Sequence, residues 1–241
     1  AFFDWRIAAI VSGVALLLYL IRLKFTNLLD FDKQLSTEGK PSTWSLLKDY
    51  KGVVFDKRFG IMMPASFILS FTNTAIFFYQ YVFVEDKGWS PQLYATFFTV
   101  YAISRFLFSL LGGTWVDKFS AKKMFRIYLI PMTLGLIPFA LMDSIIGALL
   151  FLITAGITGG MAGTVKTSLI AEIYGTEKMG AIRSVFTMFM VISTALGPLL
   201  VGFMIDGNFD FSTIILLLFA AMLLISLNSQ RIKNITKVST L

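Results

Sequence analysis

Hydrophobic and polar positions divide the chain into seven long apolar stretches, at about 5–23, 59–84, 91–112, 124–142, 145–170, 181–205 and 211–227. Each is close to or above the roughly 20 residues that carry an α-helix across a hydrocarbon core about 30 Å thick. The pattern predicts an all-α polytopic membrane protein. Six stretches follow one another through short connections. The first stands apart, behind the long polar segment 24–58, in which 37–45 reads as a linker containing Gly, Pro and Ser and 44–50 as a short interfacial helix. One span, a long loop and six further spans fit the tail of one bundle joined to a complete second bundle. The predicted organisation is thus the last helix of a first bundle (1–23), a central loop (24–58), a six-helix bundle (59–229) and a tail (230–241). The chain opens on Ala1 without a signal-peptide pattern and reads as a fragment or a processed chain.

Charge alternates between successive connections. Arg22, Lys24, Lys33, Lys40, Lys48, Lys51, Lys57 and Arg58 occupy the long loop and its edges. Lys118, Lys122, Lys123 and Arg126 follow the third stretch, Lys178 and Arg183 the fifth, and Arg231, Lys233 and Lys237 the seventh. The opposite connections carry Glu85, Asp86 and Lys87, then Asp143, then Asp206 and Asp210. The positive-inside rule places the basic set, with the central loop and C-terminus, in the cytoplasm. The expected location is the inner (plasma) membrane, with lipid as the surrounding partner.

Composition narrows the functional classes. The 241 residues are 56% hydrophobic and 15% charged, and mean hydropathy is +0.77. A soluble domain carries about 25% charged residues. The net charge of +7 comes from basic residues placed between apolar stretches, which speaks for topology and against nucleic-acid binding. With no Cys and no His, disulfides, thiol catalysis and a His-based metal site are excluded. No cofactor is expected, and no nucleophile–base set marks an enzyme.

Arg105 is the most informative residue, about seven positions from the inner end of the third stretch. A guanidinium stays charged at any working pH, is costly inside a bilayer, and there faces a cavity, a partner or an anion. Tyr94, Phe98, Tyr101 and Arg105 are spaced four, three and four apart, which puts them on one helical face. Two readings stand: an aromatic-lined cavity with Arg105 as its charged floor, its paired donors matching a carboxylate, or an arginine snorkelling to the interface. In the second stretch Ser66, Ser70, Asn73, Phe77 and Tyr81 share a face, and Gln80 lies seven residues from Asn73. These polar groups suit either a water-filled path or hydrogen bonds between helices. Tyr79 and Tyr81 are also placed to anchor at an interface.

Gly112 and Gly113 suggest close helix contact or a tight turn before Asp117, for which Arg183 is the expected partner. The fifth stretch has two overlapping GxxxG spacings, Gly156/Gly160 and Gly159/Gly163, which permit close approach of helices. Lys166, about five residues from that stretch's inner end, is expected to snorkel or meet Glu172, with substrate contact as the alternative. Pro198 removes one helical hydrogen bond and can bend the sixth stretch. No carboxylate lies inside a stretch to relay a proton.

This layout resembles the C-terminal half of a major facilitator superfamily transporter, preceded by that fold's sixth helix and central loop. Gly113, Asp117, Lys118 and Lys122 resemble the family's loop signature, with Ser120 where the signature has its second Gly. Asp4-Trp5-Arg6 is similar to the start of the sixth helix. Glu172, Gly180 and Arg183 resemble the charged elements around the loop before the eleventh. Within the superfamily, the segment 77–95 and Arg105 are similar to monocarboxylate carriers and oxalate:formate-type antiporters.

The resemblance implies alternating access between two bundles and carriage of a small organic anion, a monocarboxylate above all, with or without a co-transported proton. Arg105, Tyr101, Asn73, Phe77 and Tyr81 would contact substrate. Gly113, Asp117, Lys118, Lys122, Arg183 and Pro198 would serve gating. The antiporters' eleventh-helix lysine has no counterpart in 181–205, which favours a monoanion. The missing N-terminal helices of the same protein would complete the cavity. The alternatives are another solute (a sugar phosphate, a dicarboxylate or a drug) and a truncated half-bundle that transports nothing.

Overall fold

The computed structural model describes residues 11, 13–19, 21–22, 52–175 and 179–234. The chain divides into two compact units, Ala1–Leu47 and Lys48–Leu241. In the first, the described residues between 11 and 22 are helical. The rest of the predicted first span, most of the long loop with its interfacial helix at 44–50, and the end of the tail lie outside the described residues.

The second unit is a helical bundle. Its helices are α1 (Lys57–Asp86), α2 (Pro91–Phe119), α3 (Ala121–Ile127), α4 (Ile130–Leu141), α5 (Ile146–Tyr174), α6 (Met179–Asp206) and α7 (Phe211–Ser229), followed by a 3₁₀ turn at Gln230–Asn234. Among the described residues six segments are long and apolar enough to cross a membrane, α3 and α4 together making one of them. These match six of the seven predicted stretches.

Local chemistry sets the ends. Asp56, Ser90 and Asp210 cap α1, α2 and α7 by accepting from the amides of Arg58 (2.9 Å), Leu93 (3.3 Å) and Thr213 (2.9 Å). The Thr213 hydroxyl also donates to Asp210 (2.6 Å), and these bonds hold the Asp210 carboxyl below its ordinary range. The span at 121–141 is broken because Pro131 has no amide and its ring crowds the preceding turn. The Met132 amide instead donates to the Thr158 hydroxyl of α5 at 3.0 Å.

Of the two readings of Gly112-Gly113, close helix contact holds and the tight turn does not. Both glycines are helical, and Gly112 is packed against Met161 of α5, where an added Cβ would stand 3.4 Å from the Met161 Cα. The turn falls eight residues past Gly112, at Ser120, which closes α2 and opens α3 with φ 78° and ψ 149°. Glycine populates that region freely and other residues do not.

Contacts run in sequence from α2 to α5, α4, α7, α1 and α6. The two ends of this series, α2 and α6, touch α1 and α5 only lightly across the gap. They are also the least buried: 6% and 17% of their most apolar windows are covered, against 50% for α5. At the acidic end, Trp89, Phe139, Phe211 and Phe83 form edge-on and tilted ring contacts with centroids 5.0–6.3 Å apart. Phe151 stacks on Phe139 at 4.5 Å. The Trp89 indole donates to the Asp143 carbonyl (2.6 Å) and Lys87 pairs with the Asp143 carboxylate (3.4 Å). At the basic end, Arg126 Nε donates to Gln230 Oε1 (2.9 Å), and Gln230 Nε2 returns a bond to the Arg126 carbonyl (2.8 Å).

Ser120→Gly is expected to stabilise the bundle by about 1 kcal/mol. Release of the backbone from an unfavoured region is worth roughly 1–3 kcal/mol, against a few tenths for the cap it removes. That cap is a long 3.5 Å bond to the Lys123 amide. The check is a higher melting temperature in detergent; an unchanged or lower one refutes it.

Candidate functional site

Helix α2 carries Arg105 because the run around it is apolar enough to stay helical across the span, and α5 holds it in place through glycine. A Cβ at Gly156 would stand 2.7 Å from the Tyr101 carbonyl oxygen and 2.8 Å from Ser104 Cβ. A Cβ at Gly160 would stand 2.5 Å from the Arg105 carbonyl oxygen and 2.9 Å from the Ser109 amide nitrogen. Two bare backbones thus meet at the level of Arg105. In a bilayer, where apolar burial gives helices little reason to associate, such close packing supplies much of the attraction.

The second glycine pair does something else. A Cβ at Gly159 would meet only the Tyr101 hydroxyl, at 3.9 Å, and one at Gly163 would stand in open space. These two glycines leave a groove of about 520 Å³ lined by Arg105 and Ser109 of α2 and by Gly159, Gly163, Thr164 and Ser168 among others of α5. A cation therefore stands in a trough whose other polar groups are mainly hydroxyls.

The predicted aromatic face holds together. Tyr94 and Phe98 meet at 5.6 Å, and Phe98 and Tyr101 at 6.2 Å. Phe77 of α1 touches both Phe98 (5.7 Å) and Tyr101 (5.4 Å). Arg105 Nη1 donates to the Tyr101 hydroxyl at 2.8 Å, and the guanidinium carbon lies 5.9 Å from that ring's centroid. Tyr94 is buried rather than open to a cavity. Arg105 itself is exposed and meets no carboxylate among the described residues.

Asn73 lies one turn from Phe77 on the same face of α1. Its Oδ1 and the Gln80 Oε1 are buried without a hydrogen-bond partner. Such orphans cost about 1–3 kcal/mol each, and hydropathy alone could not reveal them. Tyr81 stands apart: it is exposed, and its ring joins no aromatic contact among the described residues. Tyr79 turns its hydroxyl onto Gly202 of α6.

The gating set is only partly assembled. Asp117 is exposed and does not pair with Arg183, which is exposed on α6 beside Ser184 and Thr187. Arg183 meets no carboxylate among the described residues. Lys122 reaches Glu172 at 3.8 Å instead, joining α3 to the end of α5. Lys118 lies 5.5 Å from the centre of the Phe119 ring. Gly113 is a helical residue with open space beside it. Pro198 sits inside a helix that stays continuous, next to Gly197, where α6 touches the α1 backbone at the Phe71 carbonyl oxygen (2.5 Å from an added Cβ). Lys166 neither snorkels free nor meets Glu172; its ammonium contacts Met190 Sδ at 3.1 Å.

Fold and groove together define a multi-pass helical membrane protein with a cationic recess between two of its spans. Residues 62–229 match the Major Facilitator Superfamily, and the chain belongs to that superfamily, whose members are transporters. Over 148 residues it is 25% identical to the Multidrug resistance protein B homolog of Mycobacterium tuberculosis (strain CDC 1551 / Oshkosh), and equally to that of strain ATCC 25618 / H37Rv. The aligned part is 61% of this chain and 27% of each relative, so the chain spans about a quarter of the length of the curated relatives it matches.

The two glycine pairs are expected to separate on substitution. Gly160→Ala forces α2 and α5 apart and costs about 1–3 kcal/mol, read as a lower melting temperature in detergent. Gly163→Ala, with open space at its Cβ, leaves the melting temperature within error. Equal effects would contradict the division of roles.

Proposed function

We propose that this chain is part of a secondary transporter that moves a small organic anion, a monocarboxylate by preference, by alternating access. One observation carries the reading. Arg105 lies inside a membrane span, faces a groove, and has the Tyr101 hydroxyl as its only hydrogen-bond partner among the described residues. A guanidinium has five N–H donors, and a carboxylate takes two of them in a planar fork. Tyr101 orients the group, Phe77 and Phe98 pack on the Tyr101 ring, and the hydroxyls of Ser109, Thr164 and Ser168 replace water around the cargo.

In this reading the bundle is the C-terminal half of the fold and rocks against N-terminal helices of the same protein, with the basic end in the cytoplasm of a plasma-membrane protein. The Lys122–Glu172 pair and Asp117 lie at the end that opens and closes. Among the described residues no carboxylate stands inside a span, so a coupled proton would ride on the substrate or on a group of the first bundle.

A second reading, export of amphipathic drugs, is favoured by the name of the mycobacterial relatives and by the aromatic wall. The two differ in the charge of the cargo. In vesicles carrying the full-length protein, labelled lactate and formate should move and cationic ethidium should not. Arg105→Ala should lower lactate uptake at least about tenfold, the value of one charge-assisted bond of ~1.5–3 kcal/mol. Arg105→Lys, which keeps charge but loses the fork, should fall between. Undiminished lactate uptake by Arg105→Ala ends the carboxylate reading, and ethidium efflux without lactate uptake establishes the second one.

A further inference from the structure

Lys166 is a second intramembrane cation, and its surroundings do not neutralise it. Its ammonium has three donors, and its one hydrogen-bond partner among the described residues is the Met190 thioether, a weak acceptor. Glu172, six residues on, is engaged by Lys122 of α3. Arg183 lies seven residues before Met190, on the same face of α6. Arg183 itself has no carboxylate partner among the described residues. The Lys166 ammonium thus stands on a seam between helices that touch only lightly, and an ammonium so placed is costly until an anion arrives. Thr167 and Ser168, the next two residues of α5, line the groove with Arg105, while Lys166 is turned toward Met190 of α6. Lys166 lies about 9 Å of helix rise beyond Gly160, the residue packed on the Arg105 backbone.

We infer that Lys166, backed by Arg183, forms a second anion-binding station on the α5–α6 seam, taking a single carboxylate or phosphate group about two turns from Arg105 toward the basic end of the bundle. The inference rests on the reading of the groove as a path for an anionic solute. The Met190 sulfur is a placeholder acceptor that the anion displaces, so cargo leaving Arg105 passes to a second cation before release. The same chemistry fits the phosphate of a lipid headgroup, and the test separates the two sources.

Equilibrium binding of labelled lactate and of inorganic phosphate is measured on purified full-length protein in neutral detergent, and again with added phosphatidylglycerol. The expected result is a component of anion binding that survives Arg105→Ala, weakens at least tenfold in Lys166→Gln, persists in Lys166→Arg and weakens partly in Arg183→Gln. Should Lys166→Gln fail to fold, Lys166→Met keeps a chain of similar length against Met190. Binding that depends on Lys166 but is displaced by phosphatidylglycerol assigns the station to the lipid headgroup; resistance to it assigns a soluble anion. Binding in Lys166→Gln and Lys166→Met equal to wild type, or binding lost entirely in Arg105→Ala, overturns the second station. Failure of the Arg105 reading alone appears differently, as normal lactate binding in Arg105→Ala with loss in Lys166→Gln.

Discussion

The contact on which the site depends is the bare backbone approach of α5 to α2 at Gly156 and Gly160. With no side chain on α5 at these positions, the two helices stand close enough for the carbonyl oxygens of Tyr101 and Arg105 to border the opposing glycines. Lipid tails are as apolar as the helix surfaces, so dispersion and fine fit must replace the hydrophobic effect as the source of association. The same seam fixes the height and azimuth of Arg105. Its guanidinium is then held by Tyr101, and Tyr101 by Phe77 and Phe98. A chain of contacts thus runs from glycine spacing to the pose of a charge.

Much of this was legible in the sequence, because membrane spans obey a length rule and a helical face obeys a period. The Tyr94–Phe98–Tyr101–Arg105 face and the six described spans follow from those two regularities. The double GxxxG pattern was legible as packing, but its split into a contact pair and a groove pair was not. That split depends on where α2 crosses α5, which no local pattern encodes. The break at 128–129 follows from Pro131, yet its repair by Thr158 is a tertiary bond between residues 26 apart.

Charge partners were the least legible part. The basic residues near the inner ends outnumber the acids there, Asp56, Asp117 and Glu172 among the described residues, and the choice of partner is made by crossing geometry. Asp117 was expected to meet Arg183 and stands exposed instead. Glu172 was one of the partners open to Lys166, alongside snorkelling, and is held by Lys122. Gly112-Gly113 suited either a turn or close helix contact, and sequence alone did not choose. The helix runs through both, since Gly112 is needed for contact with Met161, and a serine takes the strained position.

That serine has a mechanical consequence. One residue ends α2 and begins α3, so no slack separates the two helices. A tilt of α2 is passed to α3 as by a bell crank. Through Arg126 and Gln230 it reaches the end of α7, and through Lys122 the end of α5. The basic rim of the bundle is therefore geared to the helix that bears Arg105, and any displacement of that helix is felt at three other helix ends at once.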